Sequence, residues 1–404
     1  MEWKEVRLGD VCTRVCSGGT PKSTNLSYYG GKIPWLNTKE IDFNRIYSTE
    51  KTITDSGLNN SSAKWIVPNT VTVAMYGATA GKSCIVKVPM TTNQACCNLT
   101  INDEVADYEF VYYSLKNDYT TLASLANGGA QQNLNAQIIK DYVLQMPSLA
   151  DQRRIASILS SLDRKIELNN KINADLEEMA QAIFKNWFVD FEPFKDGKFV
   201  DSELGMIPDG WKVGRLDEIA DVVGGSTPSK AKPEYYTQKG IAWLTPKDLS
   251  NHPAVYTSRG EIDITEEGYN STSTKLMPKG TILFTSRAPI GYISIAQNDI
   301  CTNQGFKSLV PKKAGTCFLY CFLKYVTPEI ENKSTGSTFK EASGALMKSL
   351  QVIMPEQKVF EDFEEIVCPL FARIESLEKE NSRLSLLRDT LLPRLMSGEL
   401  EIPE

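Results

Sequence analysis

The sequence predicts an α+β protein built from two tandem repeats, each a mixed domain followed by one long helix of a coiled coil. Two observations support this prediction. Short motifs recur at an offset of 207–211 residues, a register that chance does not keep. Two further stretches repeat apolar residues in alternating steps of four and three, the spacing of a coiled-coil seam. The recurring motifs are Trp3-Lys4 and Trp211-Lys212, Gly18-Gly19-Thr20-Pro21 and Gly225-Ser226-Thr227-Pro228, Tyr28-Tyr29 and Tyr235-Tyr236, Trp35-Leu36 and Trp243-Leu244, Thr92-Asn93-Gln94 and Thr302-Asn303-Gln304, and Met146-Pro147 and Met354-Pro355.

The repeats divide the chain into four parts. We predict the first mixed domain at 1–147 and the second at 205–355, because short β-prone runs alternate there with Gly, Pro and Asn turns. The first long helix and its connection to the second domain occupy 148–204. The second long helix and the C-terminal tail occupy 356–404.

The first seam predicts a helix from residue 151 to about 184, without Pro or Gly, that is roughly 50 Å long. An amphipathic helix on an ordinary core is the alternative. Two asparagines in the seam cost stability and can fix the register of a helix pair. The seam residues are Ile155, Leu159, Leu162, Ile166, Asn169, Asn173, Leu176, Ala180 and Ile183.

The second seam lies near the C-terminus and again has an asparagine in its middle. Pro369 predicts either a kink or the true start of this helix. The two helices can pair antiparallel within one chain, which gives a pseudo-two-fold repeat with the domains at opposite ends of a rod. Dimeric DNA-binding proteins contact half-sites about 34–36 Å apart, which such a rod can span. The seam residues are Phe363, Val367, Leu370, Ile374, Leu377, Asn381, Leu384, Arg388 and Leu391.

Composition excludes several classes of protein. No apolar run is long enough to cross a membrane, and the N-terminus lacks a signal peptide, so we expect a cytoplasmic protein with reduced cysteines. The only histidine, His252, argues against a zinc site. The net charge is −6, with zero on residues 1–147 and +3 on residues 206–355. The acidity therefore belongs to the helices, and the domains remain compatible with DNA.

The sequence lacks recognisable catalytic and nucleotide-binding motifs. Residues 76–83 resemble a phosphate-binding loop, but Tyr76 replaces its first glycine and a β-prone run follows where a helix is required. The chain has no nucleophile elbow, no dinucleotide-binding loop and no amino-methyltransferase motif. We therefore predict a non-catalytic protein.

Five stretches of the sequence have recognisable relatives: residues 183–193, 207–211, 285–291, 302–306 and 391–399. Together they resemble the specificity subunit of type I restriction–modification systems, and the resemblance covers essentially the whole chain. The resemblance implies two target-recognition domains that each read one half of a bipartite, asymmetric DNA site. It implies that the helices set the spacing and dock two methylation subunits, which a motor-nuclease subunit can join. S-adenosylmethionine, ATP and Mg²⁺ would belong to those partners, and none to this chain.

The repeat also suggests which residues contact DNA. Shared residues are scaffold or phosphate contacts, and residues that differ between the domains read bases. The shared Thr-Asn-Gln is interpreted as a buried, hydrogen-bonded turn. The predicted phosphate contacts are the shared pairs Lys39 and Lys247, and Lys64 and Lys275. The other predicted DNA contacts are Lys22, Tyr76, Lys82, Gln131, Gln132, Lys230, Arg287, Thr338 and Lys340.

Partner contacts are predicted just beyond each helix. Trp187, Phe188 and Phe191 either pack the helix end onto the next domain or seat a methylation subunit, and Leu392 and Arg394 are the candidates near the C-terminus. Two rival functions remain. A coiled-coil scaffold would bind proteins without sequence-specific DNA binding, and a stand-alone enzyme would methylate or cut DNA without partners.

Overall fold

The computed structural model describes residues 2–126, 133–287, 289–334, 340–400 and 402. The chain divides into two compact units. Unit 1 comprises Met1–Ile166 with Arg383–Glu404, and unit 2 comprises Glu167–Ser382. Each long helix contributes one segment to each unit, whereas the sequence analysis treated each helix as a separate part.

The described part of unit 1 is a mixed domain, as predicted. Its strands are β1 (Lys4–Arg7), β2 (Cys12–Ser17), β3 (Tyr29–Leu36), β4 (Asn44–Ile46), β5 (Thr52–Ile53), β6 (Trp65–Ile66), β7 (Val71–Ala74), β8 (Ser83–Val86), β9 (Met90–Thr92), β10 (Cys96–Ile101) and β11 (Val143–Met146). Its helices are α1 (Asp55–Asn59), α2 (Tyr108–Asn117), α3 (Tyr119–Ser124), α4 (Ala136–Asp141) and the start of the long helix α5 (Leu149–Phe188).

Two sheets organise unit 1. The larger has the order β2-β10-β7-β8-β4, antiparallel except for its edge strand β4, which runs parallel to β8. The smaller has the order β5-β3-β9-β6. The first and last strands, β1 and β11, pair with Lys4 opposite Met146. The repeated Trp-Lys and Met-Pro motifs therefore lie where the two ends of the domain meet.

Unit 2 repeats this architecture. Its strands are β12 (Phe199–Val200), β13 (Ile207–Pro208), β14 (Lys212–Arg215), β15 (Ala220–Gly224), β16 (Tyr236–Thr237), β17 (Trp243–Leu244), β18 (Tyr256–Thr257), β19 (Asp263–Ile264), β20 (Ile282–Ser286), β21 (Ile290–Ala296), β22 (Cys301–Thr302), β23 (Lys307–Pro311) and β24 (Gln351–Met354). Its helices are α6 (Leu216–Ile219), α7 (Pro246–Asn251), α8 (Glu266–Asn270), α9 (Thr316–Lys333), α10 (Gly344–Ser349) and most of the long helix α11 (Gln357–Met396).

The main sheet of unit 2 matches that of unit 1 strand for strand. Its order is β15-β23-β20-β21-β18, and the edge strand β18 again runs parallel to its neighbour. Strands β14 and β24 pair with Lys212 opposite Met354, as Lys4 pairs with Met146. The prediction of two repeats of one α+β domain is confirmed.

The helix segments within each unit pair as the heptad pattern predicts, and all seam residues are buried or half-buried. In unit 2, Asn169 Nδ2 donates to Asn381 Oδ1 at 2.9 Å. The ring of Phe184 lies 6.3 Å from that of Phe363. The later residue on α5, Phe184, thus contacts the earlier residue on α11, Phe363. The two segments are therefore antiparallel. Because the paired asparagines are the polar positions of both seams, they can fix this register.

Helix α11 does not begin at Pro369. It runs without a break from Gln357 to Met396, so this alternative of the sequence analysis is wrong. Proline removes one backbone donor and costs about 3 kcal/mol in a helix interior. Val367 and Phe371, on either side of the proline, are fully or almost fully buried in the core of unit 2. Their burial can offset that cost at about 1.5–3 kcal/mol each.

Candidate nucleic-acid interface

In unit 2, the turn that contains Gly225-Ser226 lies against the Thr302-Asn303-Gln304 turn. The Ser226 amide donates to the Thr302 carbonyl at 3.0 Å, and Trp243 Nε1 donates to the Ser226 carbonyl at 3.1 Å. A Cβ atom at Gly225 would lie 2.1 Å from the Thr302 oxygen. Only glycine allows the two backbones to approach so closely.

Unit 1 contains the same arrangement. The Gly19 amide donates to the Thr92 carbonyl at 2.9 Å, and Trp35 Nε1 donates to the Gly19 carbonyl at 2.9 Å. A Cβ atom at Gly18 would lie 2.2 Å from the Thr92 oxygen. The shared Gly, Trp and Thr residues are therefore scaffold in both units.

A tyrosine holds the next part of each loop. Tyr29 donates its hydroxyl to the Pro21 carbonyl at 2.7 Å, and Tyr236 donates to the Pro228 carbonyl at 2.7 Å. The predicted DNA contacts Lys22 and Lys230 lie one and two residues after these prolines. Each lysine therefore belongs to a loop that a tyrosine anchors at the same point in both units.

The shared Thr-Asn-Gln sequence is a hydrogen-bonded turn, as predicted, except at its glutamine. Asn93 and Asn303 each accept, through the side-chain oxygen, a backbone amide two residues further on, at 3.0 and 2.8 Å. The threonines are fully buried. Gln94 and Gln304, however, are exposed. These glutamines can therefore contact a ligand, a role that the interpretation as a buried turn did not give them.

Unit 2 has a cleft of about 670 Å³ beside these turns. It brings together three of the predicted DNA-contacting residues, Lys230, Lys247 and Arg287. Gln304 and the aromatic ring of Tyr236 line the same cleft. Cations with an amide and an aromatic ring are the groups that contact phosphates and base edges.

The cations of this cleft have only weakly held partners. Arg287 Nη1 lies 3.5 Å from Glu341 Oε2, and Lys247 Nζ lies 3.5 Å from Glu261 Oε2. Exposed ion pairs of this kind contribute about 0–1 kcal/mol. A phosphate or a base edge can therefore replace either carboxylate at little cost.

The predicted lysines of unit 1, Lys22, Lys39 and Lys64, are exposed, and Tyr76 is 38% exposed. Exposure leaves all four side chains available to DNA. Trp65, next to Lys64, is 44% exposed, and the sequence analysis did not single it out. The sequence feature that could have identified Trp65 is its position, as a large aromatic residue, beside the predicted phosphate contact Lys64.

The loop that resembles a phosphate-binding motif is built differently. Gly77–Thr79 forms a 3-10 turn, and the strand β8 follows instead of a helix. Lys82 Nζ lies 2.5 Å from Asp42 Oδ1. Without a helix N-terminus, backbone amides do not converge on a phosphate there. The structure supports the rejection of a nucleotide site and pairs the predicted DNA contact Lys82 with a carboxylate.

Of the remaining predicted DNA contacts, Lys275 and Lys340 lie among the described residues of unit 2. Gln131, Gln132 and Thr338 lie outside the described residues. Lys340 is exposed and donates to a backbone carbonyl of α9 at 3.2 Å. Lys275 is exposed.

The chain matches the family model described as type I restriction modification DNA specificity domain over residues 1–178 and again over 208–384. The chain belongs to this specificity family. The MjaIX specificity subunit of Methanocaldococcus jannaschii is 31% identical to it, with 100% of this chain and 94% of that protein covered. The HindI specificity subunit of Haemophilus influenzae is 26% identical over 72% of this chain and 77% of that protein.

A solved structure supports the same fold. The specificity subunit from M. genitalium superposes with a TM-score of 0.60 at 20% identity, covering 98% of this chain and 96% of that one. The family match and the relatives identify the present chain as the non-catalytic, DNA-recognising component of a type I restriction–modification enzyme, as the sequence resemblance implied. Among the described residues, the helices are too polar or too short to cross a membrane.

In unit 1 of the specificity subunit, a buried charge network attaches the recognition domain to the helices. Asp163 of α5 accepts from the Tyr113 hydroxyl at 2.5 Å and from Arg388 Nη1 of α11 at 2.7 Å. Arg45 Nη1 lies 3.8 Å from Asp163 Oδ2, and Arg45 Nη2 lies 3.2 Å from Glu109 Oε1. Burial and the Asp163 carboxylate raise the pKa of Tyr113, so its hydroxyl remains a donor.

In unit 2 of the specificity subunit, a carboxylate of α11 is one of the groups that attach the domain to the helix. Glu378 of α11 accepts from the backbone amides of Val255 at 2.7 Å and Tyr256 at 3.0 Å. The second amide belongs to the edge strand β18. Burial raises the pKa of Glu378 to about 7, although the two amide donors oppose this effect.

The stability of unit 2 should therefore depend on Glu378 between pH 5 and pH 8. The folded pKa of about 7 lies above the unfolded value of about 4.3. Its contribution is fully present below the unfolded pKa and is lost as the pH rises through about 7. We expect a loss on the order of 1–3 kcal/mol across this range. Glu378→Gln should remove this part of the pH dependence in urea unfolding, whereas the exposed Glu365→Gln should retain it. Equal pH slopes in both variants would contradict the assignment.

The partner-contacting residues predicted after α5 belong to the aromatic core of unit 2. Phe188 is 4% exposed and its ring lies 4.9 Å from Phe318. Phe191 is 9% exposed and its ring lies 5.8 Å from Trp211. Of the two predicted roles, packing of the helix end onto the next domain therefore applies to Phe188 and Phe191. Both also line a pocket of about 260 Å³. Trp187 is half-buried and keeps some surface.

At the C-terminal end, the two candidates differ in exposure. Leu392 is 6% exposed and packs in the core of unit 1, so its first role is structural. Arg394 is exposed and pairs with Glu399 at 2.8 Å. Of these two, Arg394 is the one a partner could reach.

Proposed function

We propose that this specificity subunit reads a bipartite, asymmetric DNA site, one half with the recognition domain of each unit. The observation that carries the proposal is a common scaffold with different side chains at its surface. The Gly, Trp, Tyr and Thr contacts described above recur in both units. Arg287 of unit 2 corresponds to the loop that begins at Tyr76 in unit 1. One scaffold with different exposed side chains fits two different half-sites.

Within each half-site, the proposed contacts have two roles. Shared lysines bind phosphates and set the position of the domain on the duplex. Residues that differ, above all Arg287, read base edges in the major groove, where arginine pairs with guanine through two hydrogen bonds. Gln94 and Gln304 are added here as contacts that both units share.

The helices are the proposed docking site for two methylation subunits. The helices expose several apolar side chains that docked partners could cover. The partners would bring S-adenosylmethionine for adenine methylation, and a motor-nuclease subunit with ATP and Mg²⁺ would join for restriction, all in the cytoplasm. The exposed apolar residues are Leu386 and Leu387 in unit 1, and Leu168, Met179 and Ile366 in unit 2.

Exchange of residues 1–147 for the corresponding domain of a relative with another target tests this function. The methylation subunits and residues 148–404 stay unchanged. We expect the methylated site to change in one half and to keep its other half and its spacer. A methylation pattern that does not respond to the exchange would favour a coiled-coil scaffold.

Two substitutions in the cleft of unit 2 should separate the two kinds of contact. Lys247→Ala should weaken DNA binding similarly for all sequences and reduce the salt slope by about 1. Arg287→Ala should cost about 1–3 kcal/mol on the cognate site and relax specificity at one base pair. Both effects can be measured by titrating the assembled complex with cognate and mismatched DNA at several salt concentrations.

The exposed Lys348→Ala, on α10, is the matched control and should leave both affinity and salt slope unchanged. Uniform weakening by Arg287→Ala, with no change in specificity, would reassign Arg287 to phosphate contact.

A further inference from the structure

Two cysteines and a glutamate converge at the start of α9. Cys317 lies in the first turn of α9, and Glu364 and Cys368 are one helical turn apart on α11. The Cys317 and Cys368 Sγ atoms are 3.0 Å apart, and Cys368 Sγ is 3.1 Å from Glu364 Oε2. The three donor atoms lie within 4.8 Å of one another. All three residues belong to unit 2.

The carboxylate of this cluster is held in position by backbone. Glu364 Oε1 accepts from the Phe318 amide at 2.7 Å, and Oε2 accepts from the Cys317 amide at 3.3 Å. A Cβ atom at Gly315 would lie 2.1 Å from Glu364 Cδ, so glycine makes room for the carboxylate. Hydrogen bonds that orient a carboxylate are typical of metal ligands in proteins.

The cluster is closed on one side and open on the other. Cys317 is 3% exposed, whereas Cys368 is at the surface. An ion can therefore enter beside Cys368, and that side chain can move outwards. Such movement is needed, because two thiolates around a tetrahedral zinc ion are separated by about 3.8 Å when each Zn–S bond is about 2.3 Å.

The chemistry of the three side chains suits a zinc ion. Thiolate and carboxylate are the ligands that Zn²⁺ accepts, and zinc binding displaces the thiol protons.

We propose that Cys317, Cys368 and Glu364 form a zinc site, with water as the fourth ligand, that joins α9 to α11. On binding, the two thiols lose one proton each and form two Zn–S bonds, and Glu364 contributes one oxygen. The ion would brace the recognition domain of unit 2 against the helix that supports it. The single histidine argued against zinc in the sequence. The site could not be recognised there, because Cys317 and Cys368 are distant in sequence and meet only in the fold.

Zinc uptake by the full chain tests the proposal. The protein is stripped with a chelator, kept reduced with a phosphine and titrated with Zn²⁺ against a chromophoric chelator. We expect wild type to bind about one equivalent more than Cys368→Ser or Glu364→Gln and to release protons as it binds. Zn²⁺ should also raise the unfolding temperature of wild type, but not that of Cys368→Ser or Glu364→Gln. Cys16→Ser, a half-buried thiol in unit 1, should behave like wild type.

Equal zinc uptake by wild type and Cys368→Ser would overturn the proposal. So would a reduced wild-type protein that takes up no zinc, including one purified with Cys317 and Cys368 in a disulfide. Because Cys368 is at the surface, its replacement by serine should leave the fold intact, which far-ultraviolet circular dichroism checks. The proposal does not depend on DNA recognition, so either can fail alone.

Discussion

Replacement of Asp163 by alanine should reduce the unfolding free energy of unit 1 by about 3–5 kcal/mol. Asp163 is 7% exposed and is the acceptor shared by Tyr113 and Arg388. Its removal deprives the buried Tyr113 hydroxyl of its acceptor and leaves Arg388 only its pair with Asp389 among the described residues. Loss of a buried acceptor costs more than the pair itself contributes. Because the network joins the recognition domain to α5 and α11, DNA recognition by unit 1 should fail with it.

Chemical denaturation of the purified chain and methylation by the assembled complex measure the two effects. Asp175→Ala changes an exposed carboxylate on the same helix and should alter stability by less than about 0.5 kcal/mol. If Asp163→Ala is as stable as Asp175→Ala, the network does not hold unit 1 together.

Gly225→Ala should disrupt the cleft of unit 2. The added Cβ atom would lie 2.1 Å from the Thr302 oxygen and 2.2 Å from the Asn303 oxygen, both backbone atoms. The backbone must shift, at about 1–3 kcal/mol or more. That shift separates the loop that carries Lys230 from the turn that carries Gln304. We expect specific DNA binding through unit 2 to fall, most strongly for its own half-site.

The neighbouring glycine is the matched control. A Cβ atom at Gly224 meets nothing within 4 Å. Gly224→Ala should therefore keep wild-type stability and DNA specificity. Binding assays on DNA with each half-site mutated in turn would locate the defect. Wild-type binding by Gly225→Ala would show that the close contact between the two turns is dispensable.

The sequence alone predicted the main features of the fold. The motif offset requires two copies of one domain, and each motif pair has equivalent contacts in both units, such as Trp35 with Gly19 and Trp243 with Ser226. The heptad seams predicted which faces of α5 and α11 are buried. These features depend on local periodicity and on repetition, which are visible in one sequence.

Other features depend on contacts distant in sequence. Pro369 lies inside a helix because neighbouring side chains are buried in a core that no local rule reveals. Burial of Glu378 beside Val255 depends on two segments more than a hundred residues apart. The exposure of Gln304 depends on which side of a turn faces the cleft. The sequence could name lysines and Arg287 as candidates, but only the fold brings three of them to one cleft.

We propose above all that the chain's two recognition domains read two halves of one split DNA site. Mapping of methylated adenines across the genome, in cells that carry the chain and its methylation subunit and in cells that lack the chain, tests it most directly. We expect a new methylated motif with two short specific parts around a spacer of fixed length. A complex that forms fully, yet produces no new motif or a continuous one, would contradict the claim.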